Sequence, residues 1–173
     1  MSGFESRIQK LRELIAQKEL NAIVLRRNPN LAWAIGGRVH VPLTLDLACF
    51  DLIVTSEKVI AVTNAIEAPR LIAEEFPSEI QVEIINWWEG RDGKLPTGER
   101  VGTDQPGANR IDLSQEIERL RQSLVLEDVA KLKSVCADSA LALGNALKNV
   151  EKSDREIDVA GKIAESLWRS NLE

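Results

Sequence analysis

The spacing of the apolar residues changes near Leu124, and this change limits the possible folds more than any other feature of the sequence. Upstream of it, β-branched runs at residues 22–25, 49–55 and 80–85 alternate with segments of helical spacing. Downstream, apolar residues recur every three or four positions, which predicts helix. This downstream set, the 129–150 stripe, comprises Val129, Leu132, Cys136, Ala140, Leu143, Leu147 and Val150. We therefore predict an α/β domain over residues 1–124 and a helical pair over residues 125–173.

Several helix starts can be predicted from capping residues. Ser2 with Glu5, and Ser153 with Glu156, have the three-residue spacing of a capping box, in which each side chain binds the other residue's backbone N–H. Asn28 precedes a proline, which favours a helix that begins with a side-chain cap. These signals predict helices that begin near residues 2, 28 and 153.

The strand signals in the first part of the chain predict a mixed sheet. Two β-branched runs flank the polar turn at residues 56–58 and predict a hairpin. Residues 101–103 form a last short apolar run, and Asp112 is placed to cap the helix that follows. The expected architecture is a mixed sheet of about five to six strands flanked by helices, followed by a C-terminal helical pair.

Charge and hydropathy restrict the class of protein. The net charge is −5, and basic residues alternate with acidic ones, so the sequence does not predict a nucleic-acid-binding surface. No apolar run approaches the length of a membrane span, and the first residues lack the apolar core of a signal peptide. Cys49 and Cys136 lie among apolar neighbours, which predicts reduced, buried thiols. We expect a soluble cytoplasmic protein with no nucleic-acid or membrane partner.

The residues needed for common catalytic sites are absent from the sequence. It contains no dinucleotide-binding glycine motif, P-loop, nucleophile elbow, CxxC or HExxH. His40 is the only histidine, so a histidine-rich zinc site and a Ser-His-Asp triad with a second base are both excluded. The strand positions offer only Asp46, Asp51 and Asp104 as possible inward carboxylates. We predict no catalytic residues and no metal site within these residues.

The segment after Gly36 contains two candidate binding residues, Arg38 and His40. If the segment is extended, alternate side chains point to the same side, so the guanidinium and the imidazole would lie together. Such a pair can hold a substrate carboxylate or a developing charge. The alternative is that Arg38 is solvated and His40 binds a neighbouring loop. The residues alone leave both interpretations open.

Trp87 and Trp88 are candidate interface residues. Adjacent residues at a strand end face opposite ways, so we expect one tryptophan in the core and the other on a surface that a partner covers. The alternative is an edge residue folded back under the loop at residues 89–98.

The order of these segments resembles the N-terminal domain of the creatinase, prolidase and aminopeptidase P family, followed by the first helices of its catalytic domain. The resemblance covers essentially the whole chain and depends on order and spacing. In chain order, the matching residues are Arg7, Leu11 and Leu14; residues 22–25; residues 28–31 and Trp33; Gly36 and Gly37; residues 62–67, Arg70 and Leu71; residues 101–104; residues 117–121; residues 131–133; and residues 153–157. The resemblance implies a ribonuclease H-like fold for the first domain.

The same resemblance implies a parent protein that is an X-Pro peptidase, usually a homodimer, acting on proline-containing peptides. Its two divalent metals (Mn, Co or Zn) are held by two aspartates, a histidine and two glutamates of the catalytic domain, and no residue here matches them. We therefore expect a truncated, inactive module that lacks its own catalytic domain and contributes dimer contacts and substrate access. Arg38 and His40 match a loop that reaches the neighbouring subunit's active site. The alternative is a stand-alone binding or scaffolding protein of this fold.

Overall fold

The computed structural model describes residues 2–39, 44–107 and 109–172. The chain divides into two compact units, Met1–Ser123 and Leu124–Glu173. The first unit contains α1 (Gly3–Gln17), α2 (Asn28–Ile35), α3 (Ala68–Arg70), which a π turn (Leu71–Glu75) continues, and α4 (Ser114–Gln122). Its strands are β1 (Ala22–Arg27), β2 (Leu47–Val54), β3 (Val59–Asn64), β4 (Gln81–Ile85), β5 (Val101–Thr103) and β6 (Ile111–Asp112). A 3-10 turn, Arg91–Lys94, lies between β4 and β5.

The strands form one six-stranded mixed sheet in the order β4-β3-β2-β1-β5-β6. β2 pairs antiparallel with both β1 and β3, whereas β4, β5 and β6 join through parallel pairings. The predicted mixed sheet is confirmed, and so is the β2–β3 hairpin. The two-residue strand β6 was not predicted, because so short a run carries no alternation to recognise.

The two faces of the sheet are covered to different extents. Along β1, Ile23 and Leu25 point into the larger core beneath the helices, and Ala22 and Val24 point into a smaller apolar cluster on the opposite face. This division follows from the two-residue period of a strand. Leu95, from the loop after the 3-10 turn, joins the smaller cluster. The second face is therefore covered by loop residues, and polar side chains complete its packing.

The capping box that opens α1 is confirmed. Glu5 N donates to Ser2 Oγ at 3.1 Å, and Ser2 N donates to Glu5 Oε2 at 2.7 Å. The cap predicted for α2 is wrong, because Asn28 is the first helical residue and its Nδ2 donates to the Leu45 carbonyl oxygen at 2.8 Å instead. A tertiary hydrogen bond thus replaces the local one that the sequence favoured.

The second unit consists of α5 (Leu126–Lys148) and α6 (Glu156–Arg169). The predicted box of Ser153 and Glu156 is wrong, since the N-cap of α6 lies two residues later. Arg155 is its N-cap, and Asp158 accepts a hydrogen bond from Arg155 N at 3.0 Å. This alternative pair has the same three-residue spacing, so spacing alone cannot choose between the two.

The 129–150 stripe does not form the contact between these two helices. Ala142 and Ala146 are the buried residues of α5, and Ser166 Oγ of α6 donates to the Ala142 carbonyl oxygen at 2.8 Å. Six members of the stripe are exposed: Leu132, Cys136, Ala140, Leu143, Leu147 and Val150. The prediction that Cys136 is buried is therefore wrong. Among the described residues, no helix is both long enough and apolar enough to cross a membrane.

Candidate functional site

A buried ion-pair network lies on the less covered face of the sheet. Asp51 of β2 is fully buried and accepts hydrogen bonds from Arg26 Nε at 3.0 Å and from Arg91 Nε at 2.7 Å. Arg91 Nη2 also donates to the Ala48 carbonyl oxygen at 2.8 Å, and Arg26 Nη1 donates to Asp92 at 2.7 Å. Both oxygens of Asp51 are thereby used by arginines. The network attaches the 3-10 turn to the centre of the sheet.

Asp104 follows β5 and is also fully buried. Its carboxylate accepts hydrogen bonds from Arg26 N at 2.8 Å, Arg27 N at 3.1 Å and Asn30 Nδ2 at 2.8 Å. Burial raises the pKa of Asp104, and the hydrogen bonds from Asn30 and the two backbone amides oppose that rise. Asp104 thus joins the end of β1 to the start of α2.

The carboxylates singled out from the sequence do not form a metal site. Asp51 binds the side chains of two arginines, whereas Asp104 binds two backbone amides and the Asn30 amide. The exposed Asp46 pairs with the Arg27 side chain at 3.0 Å. Within residues 2–39, 44–107 and 109–172, no group of three or more His, Cys, Asp or Glu side chains is placed to hold a metal ion. The described residues therefore do not fit a two-metal centre.

Gly36 ends α2 and begins the segment that contains Arg38. It adopts the left-handed conformation (φ 72°), and its N–H donates to the Ala32 carbonyl oxygen at 2.9 Å. The guanidinium of the buried Arg7 lies against it, so that a methyl group on Gly36 would be 2.6 Å from Arg7 Nη1. Only glycine combines this backbone angle with so close an approach.

The next two residues are held through their backbones. Arg38 N donates to Glu75 Oε2 at 2.8 Å, and Cys49 Sγ donates to the Val39 carbonyl oxygen at 3.2 Å. Burial raises the pKa of the Cys49 thiol, with the Glu67 carboxylate acting in the same direction, so Cys49 is a thiol donor here. The Arg38 side chain itself is exposed. His40 lies outside the described residues, so the predicted pairing of Arg38 with His40 stays a prediction.

A shallow groove of about 490 Å³ borders this segment. Its walls combine apolar and polar side chains, and its lining residues are Asn28, Pro29, Ala32, Val39, Thr44, Leu45 and Asp46. Val39 brings this segment to the groove, and Asp46 places a carboxylate in its wall.

Trp87 and Trp88 both lie on the surface. They are 64% and 66% exposed, and their rings contact edge to face with centroids 5.6 Å apart. The expectation that one of them is in the core is wrong, because β4 ends at Ile85 and strand alternation no longer applies. Asn86 Nδ2 donates to Glu89 Oε1 at 3.1 Å, and Glu89 N donates to the Asn86 carbonyl oxygen at 3.0 Å. This reciprocal pair fixes the turn that carries the two indoles.

Sequence reasoning missed the network around Asp51 and the contacts that hold the Arg38 segment. One signal was available: Arg26 and Arg27 directly follow the apolar run of β1, and arginines at the end of a buried strand require acceptors. The acceptors could not be chosen from the sequence, because Asp51 lies 25 residues from Arg26 and 40 residues from Arg91.

This architecture, a mixed sheet with helices on one face followed by a helical pair, is the α/β fold of prolidase-type chains. The chain resembles the crystal structure of the prolidase from Pyrococcus horikoshii OT3 with a TM-score of 0.72 and 17% identity, over 95% of this chain and 48% of that one. For an Xaa-Pro dipeptidase from Bacillus anthracis, the TM-score is 0.68 and the identity 12%, over 96% of this chain and 49% of that one. For the X-Pro aminopeptidase from Thermotoga maritima MSB8, the TM-score is 0.69 and the identity 12%, over 94% of this chain and 49% of that one.

The resemblance to the creatinase, prolidase and aminopeptidase P family that the sequence indicated is thus confirmed at the level of the fold. The chain spans about half the length of the solved structures it matches. No family model and no curated protein sequence matches it.

Proposed function

We propose that this chain acts as the non-catalytic, N-terminal type of module in a metallopeptidase similar to X-Pro dipeptidases and aminopeptidase P, where it contributes dimer contacts and substrate access. The observation that carries the proposal is the likeness of 95% of the chain to about half of a prolidase chain. A likeness over so much of the chain does not depend on a single motif.

The chemistry of the whole protein would reside outside these residues. Metal-assisted hydrolysis needs several converging carboxylates or imidazoles that activate a water molecule. Here Asp51 and Asp104 use their oxygens to bind arginines and backbone amides. The proposal therefore assigns the two divalent metals (Mn, Co or Zn) and the proline-containing peptide to a catalytic domain.

The exposed apolar side chains of α5 support the proposal that another domain covers this helix. Leu143 and Leu147 lie four positions apart on one face of the helix and are 42% and 53% exposed. Apolar side chains exposed in this way on a helix are unfavourably hydrated, and a partner that packs on them removes that free-energy cost. In the proposed parent protein, the catalytic domain supplies that partner.

The turn at Trp87 and Trp88 supports a contact between subunits. Tryptophans that are exposed in one chain and rigidly held are the residues most enriched among those that dominate binding energy. The hydrogen bonds between Asn86 and Glu89 hold the turn before binding, so little conformational entropy is lost when a partner docks. We assign this turn to the proposed homodimer.

The proposal can be tested by sedimentation of the purified chain together with an activity assay. We expect a dimer that the double variant Trp87→Ala/Trp88→Ala weakens by about tenfold or more, while the control Trp168→Ala, which removes another exposed indole, does not. With Mn²⁺ and an X-Pro dipeptide we expect no turnover. Turnover by this chain, or a monomer at all concentrations, would overturn the proposal.

A further inference from the structure

The segment Gly36 to Val39 is held at three points by three separate elements. The Arg7 guanidinium of α1 lies against Gly36, and the Glu75 carboxylate of the π turn accepts from Arg38 N. Cys49 Sγ of β2 donates to the Val39 carbonyl oxygen. A surface segment that merely connects two elements is normally hydrated, so this density of backbone contacts sets it apart.

Glu75 makes the strongest of these contacts. Its side chain is only 9% exposed, although it carries a charge. One oxygen accepts from Arg38 N at 2.8 Å, and the other lies 3.6 Å from Arg70 Nη1. A hydrogen bond to an ionised acceptor is about twice as strong as a neutral one, and more so when water is excluded.

Arg70 links this carboxylate to a second one. Its Nη2 lies 3.0 Å from Glu67 Oε2, so the guanidinium bridges Glu67 and Glu75. The guanidinium thus lies against the same Glu75 carboxylate that accepts from the Arg38 amide. The order of contacts therefore runs from Glu67 through Arg70 and Glu75 to the backbone of the segment.

We propose that Glu75 is the positioning residue of the Arg38 segment. Its carboxylate fixes the backbone amide of Arg38 and so sets the orientation of the exposed Arg38 side chain. This inference rests on the proposed function, because the orientation of the Arg38 side chain affects substrate access only if the chain has that function. Glu75 acts through Arg38 and does not itself face the groove beside the segment.

Amide hydrogen exchange at Arg38 tests the inference. In Glu75→Ala we expect the Arg38 amide to exchange about tenfold faster or more, because its acceptor is lost. Glu75→Gln keeps a neutral oxygen acceptor at the same position, so it should restore at least half of the lost protection, measured as the logarithm of the rate. Glu74→Ala, one residue earlier in the same turn and exposed, is the matched control and should leave the rate unchanged.

Two results would overturn the inference. One is unchanged exchange at Arg38 in Glu75→Ala. The other is acceleration that spreads equally over the first unit in both the Ala and the Gln variants, because it would show that Glu75 only supports overall stability. Trypsin cleavage after Arg38 provides a second measurement and should be faster in Glu75→Ala alone. The sedimentation and activity tests of the proposed function do not involve Glu75, so the two ideas can fail separately.

Discussion

Arg91 Nε lies 2.7 Å from Asp51 Oδ2, and this contact connects a surface turn to a carboxylate that solvent does not reach. Asp51 is shared, since Arg26 Nε occupies its other oxygen at 3.0 Å. The position of the 3-10 turn at Arg91–Lys94 thus depends on one buried side chain. The predictions that follow begin with this residue.

Asp51→Ala is expected to destabilise the first unit by about 3–5 kcal/mol, because two largely buried guanidinium groups would lose the buried carboxylate that they share, and only Arg26 keeps a second one, Asp92. Chemical denaturation gives the free energy of unfolding. The control is Asp46→Ala, which removes an exposed partner of Arg27 and should cost at most about 1 kcal/mol. Equal losses for the two variants would show that burial does not set the strength of the Asp51 contacts.

Gly102→Ala is expected to destabilise the first unit by about 1–3 kcal/mol, since the added methyl group would overlap Leu113 Cδ1 and come within 3.0 Å of Leu113 Cγ. Thermal and chemical denaturation measure the loss. Combining Gly102→Ala with Leu113→Ala should cost less than the sum of the two single changes, because the truncated leucine makes room. Strict additivity would contradict the predicted overlap.

The ionisation of Asp104 is expected to make stability depend on pH in a defined direction. Burial raises the folded-state pKa of Asp104, so the protonated form is favoured by folding. Its stabilising contribution is complete below the unfolded-state pKa of about 4 and is lost as pH rises through the higher folded-state pKa. Relative to Asp104→Asn, the wild type should therefore lose free energy of unfolding as pH increases.

The comparison is made by chemical denaturation of both proteins at several pH values from about 4 upward. The asparagine variant presents an NH₂ group to the Arg27 N–H, and the loss of that contact should cost about 1–3 kcal/mol independently of pH. The part of the difference between the two proteins that changes with pH is then the ionisation effect. A difference between the proteins that grows with pH in favour of the wild type would mean that the hydrogen bonds outweigh burial.

The chain is expected to self-associate through the 129–150 stripe when nothing else covers it. Gel filtration over a range of concentrations should show an apparent mass that rises with concentration. Leu143→Lys/Leu147→Lys places charges on the exposed stripe and should reduce the rise to what the dimer proposed at Trp87 and Trp88 accounts for. Ala130→Lys/Ser134→Lys adds the same charge at exposed positions of α5 outside the stripe and is the control. A strictly monomeric wild type at high concentration would count against this prediction.

Local signals predicted much of the fold correctly. The hairpin of β2 and β3 and the capping box of Ser2 with Glu5 depend on neighbours a few residues apart, so their physics is contained in short windows of sequence. The order of these segments was sufficient to indicate the prolidase-type fold, which the comparison with solved structures confirmed. Where two local patterns competed, as at the start of α6, the window could not choose between them.

The candidate site depended far more on distant contacts. From the sequence, Arg38, Trp87 and Trp88 were recognised as unusual residues, but their surroundings were not. The exposure of both tryptophans follows from where β4 ends, and the acceptor of the Arg38 amide lies 37 residues away in Glu75. Neither fact can be predicted from the spacing of apolar residues in the sequence.

By itself, the sequence determined the alternation of strands and helices, the change to pure helix near Leu124 and the absence of familiar catalytic motifs, because these depend on residue type and spacing alone. Only the tertiary structure decided which charges became buried partners and which apolar side chains stayed exposed. Asp51 meets Arg26 and Arg91 through strand pairing and loop placement, and the 129–150 stripe stays exposed because α6 packs on Ala142 and Ala146. Pairing between distant residues is a property of the folded chain, since it arises only when the backbone has brought them within a few ångströms.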